Sequence, residues 1–279
     1  MEDTQKTGAP HLSVLKVAAF IILVLVFAFL GPVLGGKPSN PGLGFVLWGI
    51  APALTALILR LATRDWKDTG FKPNFRKSWR LWLLVILAVP ALTILNTILG
   101  ILSGAASVRD YDFAKYLPMV LAGLVVFTVF AFFEETGWRG YLVPKLAASG
   151  LNDFISYLII GLVWSIWHLP YITDLAWIYN PGNYTVFIGL FFTNMIAYSV
   201  VYYEIRLASR SVWPAVLLHA LTNALQHPMA EGFITIKPGM EFLAWFTGVF
   251  MTAMLIVLGL LLRWKRFRGP QRNPLGALQ

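Results

Sequence analysis

The chain has 279 residues, of which 58% are hydrophobic and 13% are charged, and its mean hydropathy is +0.69. A soluble domain usually carries about 25% charged residues, so this composition excludes an ordinary water-soluble globule. Cysteine is absent, which excludes disulfides, thiolate zinc sites and a cysteine nucleophile. The net charge of +9 does not indicate a nucleic-acid partner, because a basic binding patch needs a water-facing surface.

Eight apolar stretches follow one another along the chain, and several exceed the roughly 18 residues that mark a bilayer-spanning helix. Because lipid cannot satisfy unpaired backbone groups, each stretch should be helical. The sequence therefore predicts an all-α polytopic membrane protein with about eight transmembrane helices. The second, fifth and seventh stretches are short, which suits helices that are tilted or enclosed by neighbours. The stretches cover residues 17–36, 43–59, 81–105, 117–146, 154–170, 184–203, 213–229 and 242–262.

Lysine and arginine residues are divided unevenly between the two sides of the membrane that the eight predicted helices would cross. With both termini in the cytoplasm, 18 of the 22 basic residues lie inside and four lie outside, as the positive-inside rule requires. This predicts a multi-pass protein of the cell membrane, surrounded by lipid. A cytoplasmic tail is expected at 1–16, the transmembrane domain at 17–264 and a basic cytoplasmic tail at 265–279. The four outer residues are Lys37, Arg109, Lys115 and Lys237.

Polar side chains interrupt the fourth, fifth and seventh stretches, and an ionisable group costs roughly 2.5 kcal/mol or more at mid-bilayer. Glu134 lies 17 residues before the expected turn near Leu151 and His168 lies 17 residues after it. Antiparallel helices with equal rise bring these two residues to one depth. The sequence therefore predicts a polar cavity between helices four, five and seven. The candidate side chains are Glu134, Glu135, Arg139, His168, His219 and Asn223.

Helical spacing separates the roles of the two glutamates. Glu135 and Arg139 are four residues apart, which favours an ion pair. Glu134 points about 100° away from its neighbour, so the two carboxylates should not easily serve the same partner, and Glu134 stays available for chemistry. His219 and Asn223 share a helix face. Each polar residue could instead pack or bridge helices, but their convergence at one level favours a functional site.

At these residues the sequence resembles the CAAX prenyl protease and bacteriocin-processing family of intramembrane peptidases. That family has E-E-x-x-x-R, F-x-x-x-H and H-x-x-x-N motifs on three helices. Here they read Glu134-Glu135-x-x-x-Arg139, Trp164-x-x-x-His168 and His219-x-x-x-Asn223. The resemblance covers about residues 117–228. Trp164 departs from the usual Phe, and we expect a packing role for it.

The resemblance implies a membrane-embedded peptidase of the CAAX prenyl endopeptidase type. Glu134 would activate water, His168 would help to hold that water, and His219 and Asn223 would face the oxyanion. The substrate would be a membrane-associated peptide or a lipidated protein. No serine is placed to complete a Ser–His–Asp triad.

Three alternatives remain open from the sequence. Glu134, His168 and His219 resemble a two-histidine, one-carboxylate zinc site, which would make the protein an intramembrane metalloprotease. They come from separate helices without an H-E-x-x-H motif, so we expect no obligatory cofactor. The buried Glu and His residues could otherwise form an ion or proton relay in a transporter or channel. The chain could also be a non-catalytic bacteriocin-immunity membrane protein.

Overall fold

The computed structural model describes residues 10–109, 112–176 and 183–268. The outer parts of both predicted tails, at 1–9 and 269–279, lie outside the described residues. The described chain is built almost wholly of helices. They are α1 (Pro10–Leu34), α2 (Leu43–Thr63), α3 (Phe75–Leu102), α4 (Phe113–Gly137), α5 (Val143–Ala148), α6 (Asp153–His168), α7 (Ile172–Ala176), α8 (Tyr184–Ser209), α9 (Trp213–Pro228), α10 (Glu241–Ala244) and α11 (Val249–Arg268).

Seven helical segments of the described chain are long and apolar enough to cross a membrane. One of them joins α4 to α5, and another extends α6 to Asp174. The predicted all-α polytopic architecture is confirmed. The seventh predicted stretch forms α9, which has only 16 residues and packs against α4, α3 and α8. Its neighbours enclose it, and its Ala220 and Ala224 are fully buried.

Apolar side chains cover much of the outer surface of the helices. Examples that face outward are Phe29 on α1, Leu87 on α3, Val125 on α4 and Val257 on α11, and each of them is more than half exposed. Exposure of so many large apolar residues is unfavourable in water but favourable against lipid tails. The chain is therefore an integral multi-pass membrane protein.

The turn between α5 and α6 lies where the sequence predicts it. Gly150 has a φ of +78°, a left-handed conformation that glycine adopts without a steric penalty. Asn152 then caps α6 by accepting a hydrogen bond from the backbone of Phe154 at 2.9 Å. The chain therefore turns between α5 and α6 at the expected position, and these two helices are in contact.

One end of the bundle is tied together by ion pairs, and we call this end the basic face. Lys145 of α5 binds Asp65 at 2.8 Å and Asp68 at 2.7 Å, both in the loop after α2. Lys16 of α1 also binds Asp65, at 2.6 Å, and Arg60 of α2 binds Asp68 at 2.9 Å. Partial burial would raise the pKa of Asp65, but the two lysines outweigh it and lower the pKa to about 2.

A second ion network on the basic face joins α6, α8 and α11. Asp153 at the start of α6 binds Arg263 and Arg266 at the end of α11. Arg266 also binds Glu204 near the end of α8, at 2.7 Å. These contacts show that the basic ends of the helices lie at one level.

The opposite face is formed by the other ends of the helices. Here β1 (Ala106–Val108) pairs antiparallel with β2 (Ile234–Ile236), which was not predicted. The two short strands connect the segment after α3 with the segment after α9. Asn96 of α3 donates to the carbonyl oxygen of Ala244 in α10 at 2.8 Å. The loop between α1 and α2 also lies on this face.

Candidate functional site

The end of α4 carries a change of helical pitch directly after the two glutamates. Residues 138–142 form a π-turn between α4 and α5, and such turns leave carbonyl groups without their usual partners. Two arginines bind these groups: Arg206 donates to the Arg139 carbonyl oxygen at 2.8 Å, and Arg60 donates to that of Gly140 at 2.6 Å. A side chain at Gly137 would collide with Pro52, so α2 and α4 are in close contact beside the site.

The predicted pair between Glu135 and Arg139 is confirmed. Arg139 Nη1 donates to Glu135 Oε1 at 2.9 Å, and both side chains are 0% exposed. The Arg139 guanidinium also lies 3.8 Å from the ring centroid of Tyr202 and 4.4 Å from that of Trp164. Aromatic faces attract a desolvated cation, so the charge is surrounded by one carboxylate and two rings.

The expectation that the two glutamates do not share a partner is wrong. His219 Nδ1 lies 3.0 Å from Glu135 Oε1, and His219 Nε2 lies 4.0 Å from Glu134 Oε1. The imidazole has two nitrogens on different edges, and α9 inserts it between carboxylates that point in different directions. His219 therefore couples the buried ion pair to Glu134.

Trp164 does more than the packing expected of it. Its indole Nε1 donates to Glu134 Oε2 at 3.2 Å. A phenylalanine has no such donor, so this chain has a hydrogen bond to Glu134 that the usual family residue could not make. Trp164 also contacts the ring of His219, with the centroids 5.8 Å apart. It thus fixes the orientation of one carboxylate and one imidazole.

His168 lies at the end of α6 with its ring held between aromatic side chains. Trp167 and Phe191 lie at ring-centroid distances of 4.7 and 5.1 Å. His168 Nδ1 is 2.8 Å from the carbonyl oxygen of Trp164. Because a carbonyl oxygen only accepts, Nδ1 carries the hydrogen and Nε2 remains available as an acceptor in the neutral ring.

A cavity of about 360 Å³ brings four of the six candidate residues together. Glu135 and Arg139 do not line it, because they lie behind His219 and Trp164. Phe45, Trp48, Phe127, Phe130 and Phe191 form an aromatic wall. The four candidates that line the cavity are Glu134, His168, His219 and Asn223.

Sequence reasoning missed several polar residues of the cavity. Asn194, Tyr198 and Tyr202 line it from α8, and their spacing of four residues is a signal that could have identified them. His227 also lines the cavity and packs on Phe127 at 4.8 Å, and its spacing of four residues from Asn223 is the same kind of signal.

The geometry does not fit the zinc site that the sequence left open. Among the described residues, no three His, Asp or Glu side chains are grouped closely enough to hold a metal ion. Glu134 Oε2 accepts from Trp164 and His219 Nδ1 is directed at Glu135. The metalloprotease interpretation therefore gains no support from the described residues.

Comparisons with known proteins agree with the motifs. Residues 116–225 match the family described as type II CAAX prenyl endopeptidase Rce1-like. The chain is 29% identical over 157 residues to CAAX prenyl protease 2 of Methanococcus maripaludis, covering 53% of this chain and 56% of that protein. It is 23% identical over 190 residues to lysostaphin resistance protein A of Staphylococcus haemolyticus, covering 65% and 48%.

These matches span about half the length of each curated relative. The family match covers the positions of all three motifs, because it runs from before Glu134 to beyond Asn223. The resemblance of this chain to the CAAX prenyl protease and bacteriocin-processing family is therefore confirmed.

Proposed function

We propose that this protein is an intramembrane endopeptidase that cleaves a membrane-associated peptide or a lipidated protein. The observation that supports this most directly is the shared cavity of Glu134, His168, His219 and Asn223. The chain spans only about half of each relative, so the activity named for CAAX prenyl protease 2 is extended to this chain as part of the proposal. We further propose the cell membrane as its location, with both termini cytoplasmic, on the basis of the 18-to-4 charge asymmetry.

Glu134 is the proposed general base. It would take a proton from a water that is also held by His168 Nε2, and the water oxygen would attack the carbonyl carbon of the peptide bond. The hydrogen bond from Trp164 holds one carboxylate oxygen, so the other is left to face the water. When the C–N bond breaks, the proton on Glu134 passes to the leaving amine nitrogen, which restores the carboxylate.

Asn223 and His219 are the proposed partners of the developing oxyanion. The Asn223 amide can donate through its nitrogen, and a doubly protonated His219 can donate through Nε2 while Nδ1 donates to Glu135. Donors aimed at the developing negative charge lower the barrier most in a site that excludes water. The buried pair of Glu135 and Arg139 would act as support for His219 and would not touch the substrate.

The aromatic wall and the polar residues of α8 suggest the kind of substrate. An apolar side chain or lipid group would lie against Trp48 and Phe130, while the peptide backbone would lie near Asn194. Ligand cavities commonly combine a large apolar surface with a few polar groups that fix orientation.

Glu134→Gln tests the proposal. Gln keeps the size of the side chain and can still accept from Trp164, but it cannot take a proton from water. We expect peptide turnover to fall by about 10²- to 10⁴-fold, the usual contribution of a general base, with the folded protein retained. Membrane peptide profiles from cells that carry the wild type or the variant would reveal the substrate. Glu241→Gln, on α10, is the control; full turnover in Glu134→Gln would rule out this assignment.

A further inference from the structure

The lining of the cavity is negative, although the chain as a whole is positive. Among the described residues that line it, Glu134 and Glu231 are the only ones with a formal charge when histidine is taken as neutral. No lysine or arginine belongs to this described lining, and Arg139 lies behind it with its charge paired to Glu135. The whole chain has a net charge of +9. The cavity therefore favours a positively charged ligand that the rest of the molecule would repel.

Glu231 lies far from the proposed reaction centre. It belongs to the π-turn Met229–Phe233 that follows α9, whereas His219, whose Nε2 lies 4.0 Å from Glu134 Oε1, belongs to the second turn of α9. The helix rises about 13.5 Å from His219 to Pro228, and Glu231 lies beyond this point. An extended peptide advances about 3.3 Å per residue. Glu231 is therefore about four or five peptide residues away from a bond held at Glu134.

The Glu231 carboxylate is available to a ligand. Its side chain lines the cavity and is exposed, and within the described chain no lysine or arginine forms an ion pair with it. Partial burial raises the pKa of this carboxyl, so its surroundings remove water without supplying a counter-ion. Arg109, beside β1, donates instead to the Thr235 hydroxyl of β2 at 2.5 Å. A basic side chain of a bound peptide would supply the counter-ion.

Apolar side chains beside Glu231 suit a long basic side chain. Phe127 packs in one apolar cluster with Met229 and Phe233, the first and last residues of the turn that carries Glu231. Phe127 and Phe130 also line the cavity. Lysine and arginine bury their methylene groups against apolar surface while the charged end stays in a polar environment, and aromatic faces attract cations. This end of the cavity therefore combines a carboxylate with an aromatic wall.

We propose that Glu231 selects substrates that carry a lysine or arginine about four or five residues from the cleaved peptide bond. The position relative to the cleaved bond rests on the proposed function, but the preference for a basic peptide does not require cleavage. Glu231 is then a specificity-determining residue and takes no part in the chemical step. Long-range attraction cannot produce this preference, because a chain with a net charge of +9 repels a basic peptide.

Binding tests the charge preference in a protein that should not cleave. Glu134→Gln is placed in nanodiscs of zwitterionic phosphatidylcholine and titrated with fluorescent peptides, followed by anisotropy. The peptides consist of alanine and leucine, have blocked ends, and carry one lysine, one glutamine or one glutamate at the same position. The same titrations are made after adding Glu231→Gln or Glu231→Lys. Glu241→Lys is the matched control, because Glu241 does not line the cavity.

We expect the lysine peptide to bind about two- to fivefold more tightly than the glutamine peptide, the usual effect of one partly exposed ion pair, and the glutamate peptide to bind most weakly. Glu231→Gln should abolish this preference, Glu231→Lys should reverse it, and Glu241→Lys should leave it unchanged. Equal binding of the three peptides, or a preference that Glu231→Lys does not reverse, would overturn the proposal. A reversal by Glu241→Lys would overturn it as well.

Cleavage tests the position of the basic residue in the protein that keeps Glu134. A random peptide library is digested, and the products are mapped by mass spectrometry. Lysine and arginine should be enriched about four or five residues from the cleaved bond, and Glu231→Lys should replace them with aspartate and glutamate. Enrichment only at the residues next to the bond would refute the placement. If no peptide is cleaved but the binding preference is reversed by Glu231→Lys, the proposed function fails and the charge preference stands.

Discussion

Removal of one partner from the buried pair of Glu135 and Arg139 should strongly destabilise the protein, because it leaves an uncompensated charge in the interior. Glu135→Gln removes the carboxylate charge but keeps the shape, and leaves a guanidinium that is 0% exposed without its counter-ion. Breaking a buried pair on one side costs about 3–5 kcal/mol. The rings of Trp164 and Tyr202 would still attract the desolvated cation, by about 2 kcal/mol or more. They are present in both the wild type and the variant, so they do not replace the lost carboxylate charge.

A double-mutant cycle measures the interaction. The free energy of unfolding is obtained by titration with denaturing detergent in mixed micelles for Glu135→Gln, Arg139→Gln and the double variant. We expect each single variant to lose about 3–5 kcal/mol and the double variant to lose less than their sum, with a coupling of about 1–3 kcal/mol. Glu241→Gln is the control and should change stability by less than about 0.5 kcal/mol. Additive losses, or single variants that behave like the control, would refute the argument.

Two further outcomes are expected from the same site. Trp164→Phe removes the donor to Glu134. Because a hydrogen bond to a charged group is worth about 1.5–3 kcal/mol, kcat/KM should fall about tenfold or more, with little loss of stability. Trp79→Phe, at an exposed position, is the control, and an unchanged kcat/KM in Trp164→Phe would contradict the role of the indole. Protein stripped with a tight chelator, and shown by elemental analysis to be free of metal, should keep its peptide turnover. Loss of activity on chelation would instead establish a metalloprotease, if stoichiometric zinc restores the activity of the wild type but not that of His168→Ala.

The helical parts of the site could be predicted because they depend only on helical period. Glu135 and Arg139 pair across one turn, and the short turn at Gly150 brings Glu134 and His168 into one cavity. These results follow from the rise and rotation of a single helix or hairpin. The all-α architecture followed equally directly from the lengths of the apolar stretches.

Contacts that depend on how helices are rotated against each other could not be predicted. The sequence does not specify that α9 turns His219 toward both glutamates, nor that Trp164 directs its indole N–H at Glu134. The π-turn after Gly137 has no motif of its own, and its arginine clamps come from positions 80 and 67 residues away. Such contacts arise from packing between distant segments, which local propensity does not encode.

The order of residues along the chain has a consequence for biogenesis. Glu135 and Arg139 emerge from the ribosome together, so α4 can enter the bilayer with its strongest charges already paired within one turn. The clamp from Arg206 and the imidazole of His219 follow 67 and 84 residues behind their partners. A nascent chain therefore holds its glutamates in the membrane before the proposed catalytic site is complete. The proposed cleavage activity would begin only when α9 has inserted, because His219 and Asn223 lie on that helix.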